Sequence, residues 1–356
     1  MGCQDILADE TIDRAAALGK GVLRRGTYVF FDGMSNSILS PIFKYYPLPA
    51  ANIIHYLLPA CIACGEAAPI EILAAGDVTP TGRMAEGDAP VTLFSQTARR
   101  RIERARLFIW NCETSGISRR SKENAFTFHA DATLFSQMFF PNGVAVTANN
   151  HVFDGYEDGA RSLMRILHEN AIPHNGLHVR REYRPLLTTP WATPDIYLMA
   201  GSPMAQTGGG PHIVALNYPA LLEELSRLRV RKPAAIIIVY AHDGLEYQDA
   251  PTLRQKHWAR LFARAGADVV LFAHNHRYGH FQILEDTPRK TFVAWSLGNF
   301  LFGGNRQWRY RNDVRLLSLR LDPESGYKEG RWLYGMTADW EFSLPESEIA
   351  AEQGAQ

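Results

Sequence analysis

The chain has 356 residues, 46% of them hydrophobic, and its 37 Lys+Arg balance 37 Asp+Glu. That is enough apolar material for one large domain or two ordinary ones, and zero net charge gives no global field favouring nucleic acid or an anionic membrane. The four cysteines, Cys3, Cys61, Cys64 and Cys112, are too few for a disulfide scaffold at this length.

The opening residues, Met-Gly-Cys-Gln-Asp-Ile-Leu, lack the basic-then-apolar pattern of a secretory signal. Ile6 stands where a myristoylation signal has Ser or Thr. Asp9 to Leu23 has a weak apolar helical face, and Tyr28 to Tyr46 is aromatic and Pro-bearing without clean periodicity. Cys61-Ile-Ala-Cys64 has redox or metal spacing, but it lies in an apolar stretch without a second pair, which favours core packing. The longest apolar patch, Ala50 to Cys64, is short and interrupted by Asn52, His55 and Pro59, so it does not read as a membrane span. The expected division is an N-terminal extension over 1–68, the main domain over 69–321, and C-terminal strands with a tail over 322–356. A cytoplasmic protein without a membrane anchor is expected.

From Pro69 onward strands and helices alternate. Ile70 to Ala75 reads as a strand ending at Gly76-Asp77, Ala98 to Ala105 as a charged helix, and Leu107 to Trp110 as a strand ending at Asn111-Cys-Glu113. Gly143 to Thr147 is a β-branched strand that ends in Asn149, Asn150 and His151. Ala160, Leu163, Met164 and Leu167 then fall at helical spacing, with Pro173 and Gly176 read as the stop. Ile196 to Ala200 is a strand, and Tyr218-Pro219 precedes a helix with Leu221, Leu222, Leu225 and Leu228 inward. Ala234 to Tyr240 is a strand ending at His242, and Thr252 to Arg264 a helix closed by Gly266. Asp268 to Ala273 is a strand ending at His274-Asn-His276. Four further strands follow without intervening helices: Phe281–Leu284, Phe292–Ser296, Leu316–Leu321 and Gly330–Gly335. Paired βα units followed by an antiparallel tail predict an α/β protein with two packed mixed β-sheets flanked by helices.

Five strand ends therefore carry acids, amides or imidazoles: Asp77; Asn111 with Glu113; Asn150 with His151; His242; and His274 with His276. Open strand ends form a rigid rim on which α/β proteins place chemistry. Carboxylate, imidazole and amide oxygen together suit Mn, Fe or Zn, as one ion or a mixed pair. A pair of ions clamps both oxygens of an in-line displacement.

These motifs resemble those of the CapA/PgsA family of bacterial capsule and poly-γ-glutamate biosynthesis, whose domain resembles the calcineurin-like metallophosphoesterases. The matching pieces run in order from Gly76-Asp77 through Asn111-Cys-Glu113, Ala148 to Gly155, Asn170 to Gly176, His242-Asp-Gly244 and Ala265 to His276, to Ser296-Leu-Gly-Asn-Phe-Leu-Phe302. The resemblance covers roughly residues 70 to 305 and implies a four-layer sandwich. It implies that Asp77, Glu113 and His276 hold one divalent metal, that Glu113 bridges, and that Asn150, His242 and His274 complete a second. It places His151 by the substrate as proton donor or stabiliser of negative charge. Asn111 either orients Glu113 or contacts substrate. Asn149, Arg277, His280 and Arg306 are candidate substrate contacts. Arg306, Arg309 and Arg311 could fork onto a phosphate or carboxylate, or form a solvated charged loop, and Arg119, Arg120 and Lys122 read the same way. Gly208-Gly-Gly210 lacks a P-loop context and reads as a loop.

The sequence departs from the pattern at three places. Asp77-Val-Thr79 lacks the His of Asp-x-His, leaving the first metal a ligand short. Ala273-His-Asn-His276 has one residue between its histidines, where the family usually has two. Asp243 stands where the family often has Trp, and so puts a carboxylate near the site, either repelling an anion or supporting a neighbour. The expected activity is a metal-dependent hydrolase, cleaving a phosphoester. Amide or γ-glutamyl chemistry and a non-catalytic assembly subunit are the alternatives. The expected substrate is an anionic small molecule, peptide or polyglutamate-like chain.

Overall fold

The computed structural model describes residues 69–86, 90–117, 126–179, 183–188, 194–205, 212–304, 313–322 and 328–350. The readings made for residues 1–68, for Arg119, Arg120 and Lys122, for Gly208 to Gly210, and for Arg306, Arg309 and Arg311 lie outside them.

In chain order the elements are β1 (Ile70–Thr79), α1 (Gln96–Arg104), β2 (Leu107–Cys112), α2 (Ala132–Phe135), β3 (Gly143–Val146), α3 (Tyr156–Glu169), β4 (His174–Asn175), β5 (Leu177–Val179) and β6 (Leu186–Leu187). Next come β7 (Ile196–Gly201), β8 (Ile213–Ala215), α4 (Tyr218–Arg231), β9 (Ile236–His242), α5 (Leu253–Arg264), β10 (Val269–Ala273), β11 (Phe281–Leu284) and β12 (Thr291–Ala294). The chain closes with β13 (Asn299–Phe302), β14 (Asp313–Leu321), β15 (Lys328–Ala338), β16 (Glu341–Ser343) and α6 (Glu346–Ala350). Among the described residues, no helix is long and apolar enough to cross a membrane.

Sheet A has the order β16-β15-β14-β1-β2-β3-β4, with β13 also paired to β1. Sheet B has the order β11-β12-β10-β9-β7-β6, and β5 pairs with β8 alone. The central pairings, β1 with β2, β2 with β3, β7 with β9 and β9 with β10, are parallel, and β14 to β16 run antiparallel. Both sheets are mixed, as expected.

Alternation explains the layering. Ile72, Ala74, Ile109, Val144 and Val146 from sheet A meet Leu198, Ile238, Tyr240, Val269 and Leu271 from sheet B in one buried core. The opposite face of sheet A, with Leu73, Phe108, Trp110 and Ala145, packs on Ile102 of α1, Leu134 of α2 and Leu163 of α3. The opposite face of sheet B, with Ile237, Val239 and Val270, packs on Leu221 and Leu225 of α4 and Phe262 of α5. Helix, sheet, sheet, helix makes four layers. Strands covered on both faces explain why β9 reads Ile-Ile-Ile-Val-Tyr-Ala without polar alternation.

Local chemistry fixes the helices. The Asn217 side chain accepts from Ala220 N at the start of α4, and Thr252 and Gln255 form a capping box on α5. Arg101 of α1 is buried and grips Glu71 of β1 through two hydrogen bonds of 2.9 and 2.6 Å, tying helix to sheet.

Several boundaries differ from the expectation. β1 continues past Asp77 to Thr79, because its second half finds a new partner in β13. α3 stops at Glu169 and not at Pro173: Ala171 turns at φ 54, and Pro173 instead leads into β4. Leu222 on α4 is only partly buried.

Candidate metal centre

The C-terminal ends of β1, β2, β9 and β10 and the turn after β3 meet at one rim of the sandwich. Asp77 reaches it through an irregular register on β1, with shifts between Ala74 and Asp77 and again before Thr79. Gly76 permits this, since a Cβ there would lie 1.9 Å from Gly298 O. Asp77 N donates to that same carbonyl at 2.9 Å. His274 and His276, just past β10, have φ of 101° and 62°, a region that L side chains rarely occupy. Strain of this kind persists where surrounding contacts over-determine it, and it concentrates at functional sites.

Two clusters of ligand-type atoms result. Glu113, His242 and His274 form one, and Asp77, Glu113 and His276 the other; within each, ligand atoms lie within 4.8 Å of one another. Glu113 belongs to both. All of these residues are buried. His242 Nε2 is 3.4 Å from Glu113 Oε1, and His276 Nδ1 is 3.3 Å from Asp77 Oδ2. Asn150 Oδ1 accepts from His242 Nε2 at 2.7 Å, which brings the sixth candidate ligand to the first cluster.

The donor set fits a divalent cation. Neither Glu113 oxygen has a hydrogen-bond partner among the described residues, nor does Nδ1 of His274. Buried polar atoms are nearly always paired, so an unpaired carboxylate between two imidazole-bearing clusters calls for a positive charge. Oxygen and imidazole nitrogen together suit Mn, Fe or Zn.

The electrostatics point the same way. Burial, and then the charge of Asp77, push the Glu113 carboxyl well above its usual range. For Asp77 burial raises the pKa, but the His276 hydrogen bond and the charges of His242 and His276 outweigh it and hold it low. Burial lowers His276, and the hydrogen bond to Asp77 with the charges of Glu113 and Asp77 overturns this, taking it to about 9. Burial carries His242 down to about 4 and, with the charge of His242, His274 to about 3. Neutral imidazoles at His242 and His274 are in the state a metal requires.

The remaining candidates sort by contact. Asn111 is buried, donates to Asp77 Oδ1 at 2.8 Å, faces His242 Nδ1 at 3.1 Å and accepts from Asn149 Nδ2 at 3.1 Å. Its amide is occupied in orienting neighbours. The two ring nitrogens of His242 thus face Asn111 on one side and Asn150 on the other. Asn149 is also buried; it donates to Cys112 O at 2.8 Å and accepts from His151 N at 3.1 Å. Asn149 supports the turn that presents Asn150 and His151. The Cys112 thiol is buried beside Glu113, and burial with that charge pushes its pKa far up.

His151 lies at the edge of the clusters, its Nε2 4.0 Å from Glu113 Oε1. Its Nδ1 is 2.9 Å from Asp154 Oδ2, and Phe128 covers its ring at 4.3 Å. Burial lowers its pKa, but the Asp154 hydrogen bond and the charges of Glu113 and Asp154 raise it above the ordinary value. Arg277 and His280 are not brought to the clusters. Arg277 pairs with Asp249 at 3.0 Å, and His280 is exposed, its ring 6.3 Å from that of Trp295. Asp243 is buried and neutralised by Arg254, whose Nε donates to it at 3.0 Å.

The sequence reading assigns no role to Asp154 or Asn299. Asn299 Oδ1 is 2.8 Å from His276 Nδ1 and pairs in register with Asp77. Both lay inside noted motifs; the signal was a polar residue within an otherwise apolar or turn-forming stretch. At the departure from Asp-x-His, Thr79 Oγ1 accepts from Gly304 N at 2.6 Å and serves the backbone.

The chain belongs to the bacterial capsule synthesis protein PGA_cap family, whose sequence profile matches residues 71–304. It is 30% identical over 113 residues to the capsule biosynthesis protein CapA of Bacillus anthracis, covering 31% of this chain and 26% of that protein. It is 33% identical over 91 residues to the PGA biosynthesis protein CapA of Bacillus subtilis (strain 168), covering 26% and 22%. The matched segments thus span about a quarter of those curated relatives. Among solved structures, the NAD nucleotidase of Haemophilus influenzae is 12% identical at TM-score 0.46, with 80% of this chain and 55% of that one covered. The 5'-nucleotidase of Candida albicans is 11% identical at TM-score 0.45, with 80% and 54% covered.

Proposed function

We propose that the protein is a metal-dependent hydrolase that cleaves a phosphoester of an anionic substrate. The observation that carries this reading is Glu113: a buried carboxylate, unpaired on both oxygens among the described residues, shared by two ligand clusters. A divalent ion held there would neutralise charge developing on the oxygens of the scissile group.

The chain's own residues divide the remaining work. Asp77, Glu113 and His276 would hold one ion, and Glu113, Asn150, His242 and His274 a second. Asn111 fixes Asp77 and His242 in orientation. His151, with Nδ1 directed at Asp154, keeps Nε2 toward the clusters. Against burial, the Asp154 hydrogen bond and the nearby carboxylate charges raise its pKa, which favours a proton on that nitrogen for a leaving group. Phe128 on the His151 ring keeps water from one face of the donor.

The decisive experiment measures Mn, Fe and Zn in the purified protein and then assays a phosphoester panel in the metal found. Asp77→Asn and His276→Ala should lose metal without loss of fold, and His151→Ala should keep metal and lose turnover. Bound metal with no phosphoester cleaved would sink the reading. A second reading is amide or γ-glutamyl chemistry with the same residues, supported by similarity to a capsule biosynthesis and a PGA biosynthesis protein. Release of glutamate or peptide that His151→Ala abolishes would select it.

A further inference from the structure

The face of sheet A that meets sheet B emerges into solvent at the start of β14. Leu317 and Leu319 of that strand lie in the core between the sheets. Side chains alternate along a strand, so Arg315 and Asp313 continue the same face, each one step farther out. Opposite them in register stand Tyr334 and Met336 of β15, each 55% exposed.

This ledge adjoins the candidate metal centre. β14 runs antiparallel to β1, so it starts at the end of β1 that carries Asp77. Tyr278 joins the two. Its hydroxyl accepts from Arg315 N at 2.9 Å and donates to Asn299 O. Its ring lies against Gly298, where a Cβ would come within 2.7 Å of it, and the Gly298 carbonyl accepts from Asp77 N. Asn299 Oδ1 in turn faces His276 Nδ1.

Arg315 is clamped on the outer side of this link. Its Cζ sits 4.8 Å from the centroid of the Tyr278 ring and 5.0 Å from that of Tyr334. Trp332 braces the Tyr278 ring at 5.3 Å. Rings beside a guanidinium hold it through cation–π contact while its N–H donors stay available. Among the described residues, the Arg315 guanidinium has no hydrogen-bond or ion-pair partner. A long side chain held in this way has already given up much of the freedom that binding would cost it. Five donors in a preset fork match the oxygens of a carboxylate or a phosphate.

We propose that Arg315, clamped between Tyr278 and Tyr334, is an anion subsite beside the metal centre, and that it takes a second acidic group, carboxylate or phosphate, carried by the substrate. The proposal rests on the hydrolase reading for the position of the first anion, at Glu113 and His276. It adds that the substrate is acidic at two separated places.

Calorimetry on the metal-loaded protein tests it. Phosphonoalkanoates and alkylene bisphosphonates of increasing chain length are compared with plain alkylphosphonates of the same lengths. Each carries a C–P bond in place of a scissile ester. At one length the second acid should improve affinity about tenfold, the reach of one charge-assisted bidentate contact. The better of the two series shows whether the subsite takes carboxylate or phosphate. Arg315→Ala should erase the gain, and Arg315→Lys should keep only part of it, because an ammonium lacks the fork. Tyr334→Phe should keep the gain and Tyr334→Ala weaken it. All four variants should hold metal and bind plain alkylphosphonates as the wild type does, which also shows that they fold. No gain at any length, or a gain that survives Arg315→Ala or is untouched by Tyr334→Ala, overturns the proposal. Plain alkylphosphonates that fail to bind the metal-loaded wild type overturn the hydrolase reading, and the proposal with it.

Discussion

The amide of Asn111, on β2 of sheet A, lies 3.1 Å from Nδ1 of His242, on β9 of sheet B, while the same nitrogen donates to Asp77 at 2.8 Å. One side chain thus aligns ligands from two layers. Asn111→Ala leaves two buried acceptors without their donor and should cost about 2–6 kcal/mol of stability, each orphan being worth roughly 1–3 kcal/mol. Urea unfolding of the metal-free protein would show a lower midpoint at unchanged slope. An unchanged midpoint would mean that the amide does not bear on these groups.

Glu113 is predicted to be a liability until an ion arrives. Its carboxyl has a raised pKa because it is buried beside Asp77. A raised acid contributes its stability below the unfolded value of 4.5, where both states are neutral, and loses it as pH rises through the folded value. Glu113→Gln should therefore stabilise the metal-free protein at pH 8, with the advantage shrinking toward pH 4. The same variant should gain little or nothing from added metal. Melting curves across pH, with and without metal, check both halves.

Metal uptake should release a proton from His276. The metal-free residue has a pKa of about 9, set against burial by its bond to Asp77 and the nearby carboxylates. Below that pH a cation displaces the proton, so affinity should drop about tenfold per pH unit. In the metal-free protein the His276–Asp77 pair adds stability below the unfolded value of 6.5, and this is lost as pH rises through about 9. Calorimetry in buffers of different ionisation heat counts the protons directly.

His151 should act in its protonated form. Asp154 is the main partner opposing burial and keeping its pKa above the ordinary value. Activity that needs this proton is present below the pKa and falls as pH rises through it. Asp154→Asn should move the alkaline limb of the kcat profile to lower pH, and His151→Ala should lower kcat by about 10²- to 10⁴-fold, the usual reach of a general acid. An alkaline limb that ignores Asp154 would place the proton elsewhere.

Much of this architecture was legible because buried parallel strands are written as apolar, β-branched runs. Where such a run stops at Asn111, Asn150 or His242, the polar residue marks the rim. The partition of Asp77, Glu113 and His276 from His242 and His274 is implied by family resemblance and not by local sequence; the ligand-type atoms of Asp77, Glu113 and His276 lie together, as do those of Glu113, His242 and His274. What stayed hidden depends on long-range contact. The pairing of β13 with β1 joins residues more than two hundred positions apart, so the extension of β1 to Thr79 has no local signal, and Asn299 shows only as a polar residue in an apolar stretch. Arg277 and His280 follow His276 closely in sequence, but Arg277 pairs with Asp249 and His280 is exposed. Asp154 lies in the stretch before α3, and its distance to His151 marks it as a partner.

The two sheets otherwise touch through side chains such as Ile109, Val146, Ile238 and Leu271, a contact without direction. The rim is different, because Asp77 and Glu113 come from one sheet and His242 and His274 from the other. A cation bridging them would act as a rivet: sliding one layer over the other would stretch coordinate bonds. Resistance to shear would then depend on the free concentration of the ion, rising by about 1.4 kcal/mol for each tenfold excess over its dissociation constant.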